Sequence, residues 1–131
     1  MTLQRVLDKT DELKSSDMSR DTRIEFINEV EGKIHAEIIM VNAHQESAEE
    51  CPVYSTEMEN EALADAETEL LVPAPWDMIY VYWLMCQIDL QNREMESYNN
   101  DRALYENAWE EFANYWRRTH MPITPVQQFY F

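Results

Sequence analysis

Glycine is nearly missing from this chain. Of 131 residues only Gly32 is a glycine, against roughly 7% in average usage. Turns that need positive φ are therefore short of their usual residue, which argues against a hairpin-rich all-β fold. Phosphate-cradling loops and dinucleotide-binding turns need two or three glycines and are excluded. Long apolar runs are also missing. The longest, Met78 to Cys86, has nine residues, well short of the roughly 20 that span a bilayer. No membrane association is expected. The opening TLQRVLDKTDELK is polar and amphipathic and has no apolar core of a secretory signal.

Positive charge is scarce. Ten Lys and Arg stand against 26 Asp and Glu, a formal net charge of −16. No Lys or Arg lies between Lys33 and Arg93. So acidic a chain repels nucleic-acid phosphates, and binding along a DNA duplex is not expected. Two uses of the charge remain open. One is plain solubility. The other is an acidic surface that faces a basic partner or lines a channel to which DNA must not stick.

Signatures of chemistry are equally sparse. Cys51 and Cys86 form no CxxC pair, and Cys86 lies in the apolar run, where a buried free thiol is expected. His35, His44 and His120 are scattered, with no HExxH and no Glu three residues before any of them. That argues against zinc proteases and carboxylate-bridged metal bundles. His35 can face Glu31 one turn earlier, as a surface pair. No GxSxG elbow occurs. Carboxylates are so numerous that any two could be named an acid–base pair, so that signal has no specificity. No catalytic residue, metal or cofactor is expected, and the chain is read as a non-enzyme.

What is present is helical patterning in a chain with the length of one domain, 1–131. Thr2 caps a first helix to about Lys14, with Leu3, Val6 and Leu7 on one face and Leu13 as a further candidate for it. Ser19 caps a second, with Asp21 in its first turn and Ile24, Ile27, Ile34, Ile38 and Val41 at helical spacing. Gly32 inside it either lets a neighbouring helix approach or is a tolerated weakness. Residues 42–66 form an acidic connection without a clear apolar period, expected to be solvated and mobile, with a loose helix as an option over Glu57 to Glu69. Leu70-Leu71-Val72 is extended and stopped by Pro73 and Pro75; it pairs with a neighbouring subunit or lies over the core. A third helix, from about Trp76 to Gln91, is apolar nearly all round, either central in the domain or shared with a partner. A fourth spans about Arg93 to Thr119, with Asn99-Asn100-Asp101 as a point where it could kink or split. Arg117-Arg118 is the densest basic spot, suited to the negative end of the helix or to carboxylates of another subunit. The tail 119–131 has no Asp, Glu, Lys or Arg and ends in Phe129, Tyr130 and Phe131. It reads as an assembly arm. The fold class expected is all-α: a small bundle of about four helices with a long acidic connection and an extended C-terminal tail.

Several motifs are idiosyncratic rather than chemical. They are T-E-L-L-V-P-A-P-W (Thr68 to Trp76), Y-N-N (Tyr98 to Asn100), W-R-R-T-H-M-P (Trp116 to Pro122) and, more faintly, T-L-Q-R-V-L-D and I-N-E-V-E-G-K-I (Ile27 to Ile34). On these motifs the chain resembles the head–tail adaptors, or connectors, of tailed phages and prophages of Gram-positive bacteria. The resemblance does not extend to the acidic connection. It implies a structural protein of the virion neck, assembled in the host cytoplasm. Such subunits stack as a ring, often of twelve copies, between the portal protein and a tail-proximal neck or tail-completion protein, and DNA passes through without specific binding. The residues expected to meet partners are Leu70, Leu71, Val72, Arg117, Arg118, Phe129, Tyr130 and Phe131. Two alternatives come from other classes. One is an acidic DNA mimic or inhibitor that binds a host nucleic-acid-binding protein. The other is a small helical enzyme with a polar-lined pocket.

Overall fold

A computed structural model describes residues 1–40 and 50–119. Four α-helices carry the fold: α1 (Leu3–Leu13), α2 (Arg20–Ile34), α3 (Met78–Asn92) and α4 (Met95–Thr119). The expectation of a mainly helical bundle therefore holds. Both anticipated caps are made. The Thr2 hydroxyl accepts the Arg5 N–H at 3.2 Å and the Ser19 hydroxyl accepts the Thr22 N–H at 3.2 Å. Each satisfies a backbone donor that the first turn of a helix leaves without an internal partner.

The third helix is central. Ile79, Tyr80, Val81, Trp83, Leu84, Cys86 and Ile88 are buried, and α3 packs against α1, α2 and α4. Its nearly continuous apolar surface is thus used within the chain, with Tyr82 and Met85 left half-buried. It begins at Met78, so Trp76 lies ahead of it, in the turn closed by the Trp76 N–H on the Pro73 carbonyl at 3.0 Å. Helix α4 folds back on α3 after a tight turn at Arg93, which takes the left-handed conformation (φ 58°) and donates to the Leu90 carbonyl at 3.2 Å. Asn99-Asn100-Asp101 does not split α4, which is helical throughout 95–119. Its inner face is aromatic: Tyr105 meets Trp83 with ring centroids 5.0 Å apart, and Phe112 meets Trp116 at 5.9 Å.

Helix α2 does not stop at Ile34 but widens into a π-helical turn, His35–Ile39, that buries Ile38. Among the described residues, nothing beyond the helix's own backbone lies within 4 Å of where a Cβ on Gly32 would sit. Close helix approach is not the reason for that glycine, and the tolerated-weakness reading remains.

Residues 50–77 depart most from the sequence reading. In place of a loose helix there is a minimal hairpin, β1 (Met58–Glu59) with β2 (Ala62–Leu63), paired antiparallel with Met58 opposite Leu63. Its turn residues are Asn60 (φ 51°) and Glu61 (φ 67°). A conformation usually given to glycine is here taken by two residues with side chains, at a cost of roughly 1–2 kcal/mol each. The described part of the acidic connection, 50–66, also has apolar anchors. Tyr54, Leu63 and Ala66 are buried in the core, which supplies the burial that the charge-rich sequence conceals.

Candidate assembly surface

The strip 66–72 is stitched to three helices. At the start of α1, the Leu3 and Gln4 N–H groups donate to the Thr68 and Ala66 carbonyls, both at 3.0 Å. The Leu70 N–H returns a bond to the Met1 carbonyl at 3.2 Å, and Thr2 bridges Glu69 in antiparallel fashion. Extended backbone thus takes up donors that a helix N-terminus cannot satisfy itself.

The second tether is Glu31 of α2. This carboxylate is fully buried. Its Oε2 accepts the Leu71 N–H at 3.0 Å and the Tyr54 hydroxyl, and its Oε1 accepts the Tyr80 hydroxyl. Tyr80 in turn accepts the Val72 N–H at 2.9 Å. Beside this site Asn28 clamps Tyr54 from both sides, accepting its N–H at 2.8 Å and donating to its carbonyl at 3.1 Å. Burial first, and then the Glu31 charge, pushes both phenols far above their ordinary range. Both stay protonated and act as donors at any physiological pH. The sequence reading placed Glu31 on the surface facing His35; that is corrected here. A signal was available: Glu31 lies four residues after Ile27 and three before Ile34, within the apolar stripe.

Beyond the strip, Trp76 stacks on Tyr115 of α4, with ring centroids 3.8 Å apart and planes within 20°. The T-E-L-L-V-P-A-P-W motif therefore meets α4 at Tyr115, the residue just ahead of the W-R-R-T motif. Grooves flank α4. One of about 200 Å³ is lined by Trp76, Met78, Tyr82, Leu104 and Ala108, with Glu111 at its edge. Another, of about 600 Å³, lies between Lys33 and Glu37 on one side and Arg102, Tyr105, Glu106 and Trp109 on the other. Leu90, Met95 and Leu104 are exposed on the α3–α4 hairpin.

The expected partner-facing residues fall into three groups. Leu70 and Val72 are buried in the chain's own core and Leu71 is half-buried, so this strip lies over the core. Arg117 and Arg118 are exposed in the last turn of α4, where Arg117 donates to Asn114 Oδ1 at 2.6 Å. Phe129, Tyr130 and Phe131 lie outside the described residues, as do His44, His120 and positions 42–49 of the acidic connection. Among the described residues no cluster of His, Cys, Asp and Glu is arranged to hold a metal ion, and no helix is long and apolar enough to cross a membrane.

No protein-family model, curated protein or solved structure matches the chain. The sequence motifs and the geometry are what bear on its role.

Proposed function

We propose that the chain is a head–tail connector subunit of a tailed bacteriophage, a structural protein that assembles as a ring between portal and tail. The observation that carries this reading is the stack of Trp76 on Tyr115. It sets the end of the T-E-L-L-V-P-A-P-W motif on the residue that directly precedes W-R-R-T-H-M-P, although nearly 40 residues separate the two rings in sequence. Motifs without chemistry act through shape, as assembly residues do. The last turn of α4 carries exposed Arg117 and Arg118, whose planar guanidinium groups suit carboxylates on a neighbouring protein. The uncharged aromatic segment that follows in the sequence supplies large apolar area for a partner, roughly 150–250 Å² for each large aromatic residue. A net charge of −16 per copy suits the wall of a conduit through which DNA passes without sticking.

Truncation after Met121 tests the role of the tail. On this reading the shortened chain keeps its helix content and melting temperature, read by circular dichroism, and loses ring formation or portal binding. A truncated chain that unfolds makes the tail part of the core. One that assembles as well as the full chain removes the tail from assembly.

A further inference from the structure

At the end of α1, Lys14 turns inward between α3 and α4. Its ammonium donates to Asp89 Oδ1, to Ser97 Oγ at 2.8 Å and to Asp101 Oδ2 at 2.7 Å. Those bonds use all three ammonium protons. Ser97 gives its own hydroxyl proton to Asp89 Oδ1 at 3.2 Å. Asp89 is fully buried, Asp101 nearly so. Among the described residues, Asp89 Oδ2 has no hydrogen-bond partner.

Two buried carboxyl groups therefore share one cation. With both ionised, the cluster holds one uncompensated negative charge and one buried carboxylate oxygen without a donor. Each is costly where the carboxylates are buried. A single proton removes both deficits, cancelling the excess charge and supplying the missing donor. We propose that Asp89 and Asp101 hold one proton between them at neutral pH, so that the junction of α1 with the α3–α4 hairpin is a pH-sensitive latch.

The surroundings agree. Burial, then the bond with Asp89, raises the Asp101 carboxyl above its ordinary range, outweighing Lys14. Burial works against the Lys14 ammonium, but its bonds to Asp101 and Asp89 prevail, and it stays charged. From α3, Cys86 also faces the cluster; burial, then the Asp101 charge, pushes its thiol up to about 12, so it adds no charge. From α4, Arg102 is engaged by Glu106 at 2.9 Å and by the Tyr98 hydroxyl at 3.1 Å. Lys14 is the cation in contact with the pair. An acid whose pKa is higher in the folded state than in the unfolded chain stabilises the fold as pH falls through the folded value. The same stability is lost as pH rises through it.

The direct test is infrared spectroscopy of the full-length chain labelled with ¹³C at the Asp carboxyl carbons. The expected result is one un-ionised carboxyl band per chain at pH 7, disappearing at alkaline pH. The second measurement is thermal melting between pH 6 and pH 9. The net charge of −16 lowers stability with rising pH in any variant, so the comparison is with Asp101→Asn, whose amide gives Asp89 Oδ2 a donor that does not titrate. Wild type is expected to lose roughly 5 °C more than Asp101→Asn over that range. Full ionisation of every Asp at pH 7 overturns the proposal, whether or not the variant folds. Parallel melting curves for the two proteins overturn the latch.

Discussion

Among the described residues, one buried carboxylate at Glu31 meets three donors and no cation, whereas at Asp89 and Asp101 two carboxylates meet one ammonium. The first site disperses a single charge over two phenols and a backbone N–H drawn from three distant stretches of chain. Its two phenol donors do not titrate near neutrality. The second site is balanced by charge, and the balance depends on a proton. Burial of an acid thus has two different consequences in one small fold. Where the donors are neutral and fixed, the carboxylate is a structural pin. Where the partner is a cation too few, the carboxylate is sensitive to solution conditions.

The largest expected effect follows from removing the pin. Glu31→Ala leaves Tyr54, Tyr80 and the Leu71 N–H without their acceptor, and is expected to cost about 3–5 kcal/mol in urea denaturation. Hydrogen exchange should show the backbone of 66–72 opening first. Glu31→Gln is milder, at about 2 kcal/mol, because one amide oxygen still accepts while the amide nitrogen faces donors. A loss under about 0.5 kcal/mol for Glu31→Ala, the size of a typical surface substitution, would break the comparison.

Lys14→Met probes the other site. The ammonium is partly exposed and a second proton can replace it, so the loss at pH 7 is expected to be nearer about 2 kcal/mol than the larger figure for a sealed ion pair. The loss should shrink as the pH is lowered toward 5. A loss that does not change with pH would erase the distinction between the two sites. Tyr54→Phe removes one donor of the Glu31 pin and is expected to cost about 1.5 kcal/mol.

The elements legible in the sequence are those governed by local rules. Thr2 and Ser19 announce their helices because a hydroxyl beside an apolar-periodic run has one obvious use. The apolar α3 is readable as a helix from its length and its polar end. The rest depends on contacts between distant residues. Glu31 is charged and so reads as surface, although its position on the stripe between Ile27 and Ile34 points inward. Tyr54 and Leu63 are isolated among carboxylates, and no local period marks them as anchors. The Met58–Leu63 hairpin escapes a rule based on glycine because Asn60 and Glu61 take positive φ themselves. Of the candidate assembly surface, the basic pair Arg117-Arg118 is readable. The stack of Trp76 on Tyr115 is not, because nothing in sequence spacing relates the two rings.

The smallest effect sharpens the reading of α2. With open space at the Cβ position and a helical backbone, Gly32→Ala is expected to raise stability by about 0.5–1 kcal/mol. A destabilisation on melting would mean that something covers this position in the assembled state.

The central claim is that the chain is a ring subunit, and the mass of the full-length assembly tests it most directly. Native mass spectrometry of the protein alone and mixed with the portal protein is expected to give a closed oligomer of many copies, or a portal complex carrying a ring of them. A chain that remains a monomer or dimer under both conditions, and instead forms a tight one-to-one complex with a basic nucleic-acid-binding protein, would contradict it.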